Sequence, residues 1–161
     1  MKKYELTEET VTVYGKTLYR IRAVRDFGSV KTGEFGGYIE KEENLSHFGN
    51  AWISGDAWVY GDARVFDNAK VYGNAKVYGN AEVFNTRHFF VQGPIGSRDG
   101  YVTFYRTKDD TIGVRCGCFS GSLQKFVDRV EETHGGSRYE KEYKIAAELA
   151  KVCIRLEGES R

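Results

Sequence analysis

Apolar positions recur at a fixed interval through the middle of the chain. Ile53, Val59, Val65, Val71, Val77 and Val83 fall at every sixth residue, and Ala51, Ala57, Ala63, Ala69, Ala75 and Ala81 precede them by two. A period of six is neither that of an amphipathic helix nor that of a heptad repeat. Residues two apart on a strand share a face, so each Ala-x-Ile/Val triplet turns a small and a branched apolar side chain inward and one residue outward. The outward series is Trp52, Trp58, Arg64, Lys70, Lys76 and Glu82. Between triplets the chain is rich in Gly, Asp and Asn, which tolerate positive φ at little steric cost, so a corner is expected every six residues.

Three six-residue sides would close an eighteen-residue turn, and in this the segment resembles the hexapeptide repeats of left-handed parallel β-helices. The resemblance implies stacking of Ile53 on Val71, Val59 on Val77 and Val65 on Val83, with Tyr60 over Tyr78, Phe66 over Phe84 and Arg64 paired to Glu82. Upstream, Ile39 and Leu45 fall in the alanine register and His47 in the valine register, which starts the array near Gly37 and gives about 2.5 to 3 turns. So short a repeat buries little apolar surface, and arrays whose units touch only their neighbours need capping units.

The flanks read differently. Val11 and Val13 alternate, Tyr14-Gly15-Lys16 turns, and the stretch from Leu18 to Val24 resumes alternation, predicting a hairpin. After the repeat, 89–92, 101–107 and 111–116 predict three short strands. Ser122 then caps a helix carrying Leu123, Phe126, Val127 and Val130 on one stripe, ended by His134-Gly135-Gly136. A second helix is expected from Tyr139 to Leu156, with Tyr143, Ala146, Ala150 and Cys153 inward.

The expected fold class is mainly β with α, in three units: an N-terminal β-hairpin cap at 1–36, a left-handed β-helix at 37–86, and a C-terminal β-β-β-α-α unit at 87–161. With GGYIEKEENLS at 36–46, GPIGSR at 93–98, GCFSG at 117–121 and ETHG at 132–135, nearly the whole chain resembles short hexapeptide-repeat proteins of phages and prophages.

Composition narrows the classes. A formal net charge of +1 over 161 residues gives no global attraction to nucleic acid or an anionic membrane, so any anion site must be local. No stretch approaches the ~18 apolar residues of a membrane span, and the N-terminus does not read as an export signal. Three cysteines with no disulfide spacing suit a reducing compartment, and the cytoplasm of a bacterial host is the expected location.

Two glycine-rich segments carry the candidate chemistry. In the first, Gly96, Ser97 and Arg98 stand between strands. In the second, Ser120, Gly121 and Ser122 precede a helix N-terminus, with Arg115 nearby. Free backbone N–H groups, a helix dipole and a guanidinium together stabilise phosphate, although the same residues also serve as ordinary turns and an N-cap. The outward aromatics Trp52, Trp58, Tyr60, Tyr72 and Tyr78 form either stacking surfaces or an association interface. Cys116, Cys118, His134 and Cys153 match no compact zinc motif, and His47, His88 and His134 occupy structural contexts, so no catalytic or metal residue and no cofactor is expected.

The leading expectation is therefore a non-enzymatic homo-oligomer, a trimer, that holds a small phosphorylated nucleotide between subunits. The phage resemblance implies sequestration of a nucleotide signal of bacterial immunity. A polymer-forming structural module and an acyltransferase-like enzyme are the alternatives. Neither nucleic acid nor a membrane is an expected partner.

Overall fold

The computed structural model describes residues 1–157; residues 158–161, the end of the third expected unit, lie outside them. Strands β1 (Tyr4–Val13) and β2 (Lys16–Ala23) form the N-terminal hairpin. Its two-residue turn holds Tyr14 and Gly15 at φ of 49° and 78°, the geometry whose twist matches the flanking strands. The hairpin is longer than alternation alone implied, because β1 begins at Tyr4. Strand β3 (Phe35–Ile39) lies antiparallel to β2 on one edge and parallel to the repeat on the other.

Each hexapeptide contributes a strand of two residues: β4 (Trp52–Ile53), β5 (Trp58–Val59), β6 (Arg64–Val65), β7 (Lys70–Val71), β8 (Lys76–Val77) and β9 (Glu82–Val83). They pair in parallel at the eighteen-residue interval, setting Ile53 beside Val71, Val59 beside Val77 and Val65 beside Val83. All six alanines and all six branched residues are buried. Tyr60 tilts on Tyr78 at 4.5 Å and Phe66 stacks on Phe84 at 5.1 Å, while Arg64 and Glu82 stand 3.7 Å apart.

The expected fold class is nevertheless corrected: the described residues show no left-handed parallel β-helix. The chain is mostly β with α and is built from separate small sheets. One is a five-stranded mixed sheet in the order β1-β2-β3-β5-β8; β4-β7 and β6-β9 are two-stranded; a fourth, antiparallel sheet lies in the C-terminal part. Two-residue strands offer too little ladder to stand alone. One side of the repeat is accordingly continued by the antiparallel hairpin, and the other two remain isolated pairs sharing its core.

The first turn also differs in register. Ile39 pairs with Val59 and Leu45 with Val65, so both occupy the branched-residue position rather than the alanine position. Ile39 and Leu45 are six residues apart, like the later positions, but Leu45 and Ile53 are eight apart, so the stretch 46–50 makes this turn two residues longer than the later ones. Gly37 then takes the alanine position beside Ala57; a Cβ there would lie 2.5 Å from the Ala57 carbonyl oxygen and 2.7 Å from Ile53 Cγ2. His47 is displaced from the interior, stacks on Tyr4 at 4.1 Å, and accepts the Lys3 N–H at Nδ1.

The C-terminal part contains four strands, not three: β10 (Phe89–Ile95), β11 (Gly100–Arg106), β12 (Ile112–Cys116) and β13 (Phe119–Ser122), an antiparallel meander followed by α1 (Leu123–His134) and α2 (Arg138–Cys153). Period-two alternation gives this sheet two working faces. Val102, Phe104, Val114 and Phe119 face the helices, where Phe126, Val130, Ala146 and Ala150 complete a second core. Phe89 and Tyr105 belong instead to the core of the repeat. Polar contacts fasten the junction: Thr103 Oγ1 accepts the Lys76 N–H at 2.9 Å, and buried Arg106 lies 3.0 Å from Asp110, 3.8 Å from Glu82 and 4.9 Å from the Phe84 ring. No helix among the described residues is long and apolar enough to cross a membrane.

Candidate functional site

A cavity of about 520 Å³ opens at the end of the four-stranded sheet, between its two tight turns and the helices. The turn from β10 to β11 supplies Ser97 and Arg98, and the turn from β12 to β13 supplies Gly117 and Cys118. Helix α1 contributes Phe126, Arg129 and His134, helix α2 contributes Tyr143, and Lys76 reaches in from the repeat. The volume lies within the ~300–1,000 Å³ typical of small-molecule sites. Four basic side chains and four aromatic rings (Tyr101, Phe119, Phe126 and Tyr143) line it, and no described carboxylate does.

The chemistry of the wall follows from its burial. Burial raises the Cys116 thiol pKa, which keeps it protonated at neutral pH and unsuited to nucleophilic attack. Burial, and then the neighbouring Cys116, pushes the Tyr143 phenol up to about 12, so it serves as a neutral hydrogen-bonding group. His134 stacks on the Tyr143 ring at 5.6 Å. Lys76 has its pKa lowered first by burial and then by repulsion from Arg115, an electrostatic cost that a bound anion would relieve. Arg129 has an acidic neighbour, Glu132, but at 3.9 Å on the exposed side of α1.

No protein-family model matches the chain, and no curated protein sequence matches it either. The site is therefore read from its own residues.

Among the residues singled out from sequence, Ser97 and Arg98 line the cavity. Gly96 does not present a free donor, because its N–H is given to Glu142 Oε1 at 2.9 Å. Its φ of +79° also brings it so close to Tyr143 that a Cβ would collide with the hydroxyl. The second glycine-rich segment is not an open loop before a helix: Ser120 and Gly121 are inside β13, opposite Arg115 and Val114. The Ser122 hydroxyl is occupied as N-cap acceptor for the Lys125 N–H at 3.2 Å.

Arg115 is committed to partners within the fold. It is buried with its Nε donating to the Tyr60 hydroxyl at 2.8 Å, its Nη1 donating to the Phe119 carbonyl at 3.1 Å, and its guanidinium over the rings of Tyr14 and Tyr78. Nor do the outward aromatics form one exposed surface. Trp52 is 4% exposed, edge-on to Phe27, and Tyr60 is 1% exposed under the hairpin. Trp58 and Tyr78 are half-buried, and only Tyr72, at 51%, is open to solvent.

Of the histidines, only His134 reaches the cavity. His47 is held by Tyr4 and Lys3, and buried His88 accepts the Phe84 N–H at Nδ1. Cys116, Cys118 and His134 line one cavity, yet no group of three or more His, Cys, Asp or Glu side chains among the described residues is placed to hold a metal ion. Sequence reasoning missed Lys76, Arg129, Tyr101 and Tyr143. Lys76 looked like one more outward residue of the repeat, and a helix-surface arginine carries no local mark of the cavity it faces.

Proposed function

We propose that the protein is a non-enzymatic binding protein for a small phosphorylated nucleotide-type ligand, held in the cavity between the four-stranded sheet and the helices. One observation carries this reading: Lys76, Arg98, Arg129 and His134 converge with four aromatic rings on a space that no described carboxylate lines. A basic wall with no described carboxylate in its lining favours a phosphate, and aromatic faces favour a base. Buried Cys116 is protonated and the lining histidine leans on a tyrosine ring, an arrangement that supports binding over turnover.

The resemblance to prophage proteins supports sequestration of a nucleotide signal of bacterial immunity as the role, in a bacterial cytoplasm. Self-association, as a trimer, remains part of the proposal. The surface that supports it is the stripe Ile145, Leu149 and Val152 on α2, with Ile145 68% and Val152 69% exposed.

Calorimetric titration with nucleotides, including cyclic and ADP-ribose-type species, tests the reading. A nucleotide is expected to bind without being consumed, and Arg98→Ala and Arg129→Ala should each weaken it about tenfold, the loss of one charge-assisted hydrogen bond. If no nucleotide binds, or if the cation variants bind as well as the parent, the assignment fails.

A further inference from the structure

Lys76 borders more than one space. A second cleft of about 380 Å³, between the hairpin tip and the repeat, has Tyr14, Trp58 and Arg115 in its wall and shares both Lys76 and Gly117 with the first. The two spaces therefore both border one lysine and one turn. Each is large enough for a small-molecule site on its own.

The second cleft repeats the chemistry of the first. Lys76 Nζ stands 4.5 Å from the centre of the Trp58 ring, and the Arg115 guanidinium 4.9 Å from that of Tyr14. No carboxylate lines this cleft, and neither Lys76 nor Arg115 forms an ion pair with a carboxylate among the described residues. One cation on the shared wall, Lys76, with Arg115 in the wall of the second cleft and aromatic rings on both sides, matches a ligand that is anionic in the middle and aromatic at both ends.

We infer that the ligand is a dinucleotide, with one base in the helix-side cavity, the second in the hairpin-side cleft beside Trp58 and Tyr14, and the bridging phosphate at Lys76. This inference rests on the nucleotide reading of the first cavity and specifies its ligand class. A mononucleotide fills one compartment and forgoes the stacking and charge contacts of the other.

The test is calorimetry with AMP and with the linear dinucleotide pApA on the full chain and on Trp58→Leu and Tyr14→Asn. The second variant keeps a residue that tolerates the turn's positive φ and so protects the measurement from a folding defect. The parent should bind pApA at least tenfold more tightly than AMP. Both variants should lose that advantage while still binding AMP. Equal affinities in the parent, or an advantage that survives in Tyr14→Asn, would overturn the two-compartment assignment and leave the cavity reading in place. Binding of neither probe would overturn both.

Discussion

The Nε–H of Arg115 donates to the hydroxyl of Tyr60 across 2.8 Å, joining residues 55 positions apart in the chain. Tyr60 belongs to a corner of the repeat and Arg115 to the four-stranded sheet, so this bond adds to the contacts of Lys76 with Thr103 and of Arg106 with Glu82 that join the two halves. Tyr14 and Tyr78 cover the guanidinium, which stays charged although it is 5% exposed. Tyr60→Phe removes the acceptor and leaves a buried donor unpaired, a loss of about 1–3 kcal/mol. Urea denaturation of the variant measures it, and an unchanged midpoint would show that the bond does not bind the halves together.

Close approach at Gly37 makes a sharper prediction. Gly37→Ala drives a methyl group into the Ala57 carbonyl and Ile53 and should cost about 2 kcal/mol or more. Gly73→Ala is the control: it has a φ of +69° but open space around it, and should cost only about 1 kcal/mol. Equal losses would mean that backbone conformation, not contact, governs both sites.

Stability should depend on pH through Lys3. Its ammonium is buried, donates to the Ala51 carbonyl at 2.6 Å and lies over the Phe27 ring; burial, and then repulsion from Arg25 and Lys70, brings its pKa down from 10.5 to about 8. Below about pH 8 both the folded and unfolded chains hold the proton, and the folded state bears the cost of the buried charge. Between about 8 and 10.5 only the unfolded chain still holds it, so the Lys3 contribution to stability rises with pH. The difference in urea midpoint between the parent and Lys3→Met should therefore shift in favour of the parent as pH is raised from 7.5 to 10. A constant difference would place the amine in water.

The Ser122 cap supports the helix that carries Arg129 and His134. Ser122→Ala should cost about 1 kcal/mol by thermal or chemical denaturation. Because the hydroxyl is committed to the Lys125 N–H, the variant should retain nucleotide affinity; a large loss of affinity would return Ser122 to the binding site.

Charges placed in the α2 stripe test self-association. Ile145→Lys combined with Val152→Lys should lower the sedimenting mass of the parent oligomer without unfolding it, since both side chains are exposed. A monomeric parent would remove self-association from the proposal.

Much of the local structure was legible in the sequence because it follows from short-range rules. The six-residue alternation fixes which side chains turn inward, and the glycines and asparagines fix the corners. The 3.6-residue stripe with Ser122 before it fixes α1. Even the pairing of Ile53 with Val71 is implied by the interval. The register of Ile39 and Leu45 was not legible, because the stretch 46–50 absorbs two extra residues without breaking the apolar pattern. Strand β13 was hidden too: Phe119-Ser120-Gly121-Ser122 has the composition of a loop and becomes a strand only because β12 offers an edge to pair with.

The sequence by itself determined a repeat with a buried alanine and branched-residue core, a hairpin before it and amphipathic helices after it. The tertiary structure alone decided that the repeat strands are shared among small sheets, since β3 extends the β5–β8 pair into the hairpin sheet while β4–β7 and β6–β9 remain two-stranded. It also turned Trp52 and Tyr60 from outward aromatics into buried ones, because the hairpin and its connection cover those sides. The candidate site depends on the same long-range packing. Lys76, Arg98, Arg129 and His134 carry no common motif, and only the folding of the sheet between repeat and helices brings them to one cavity.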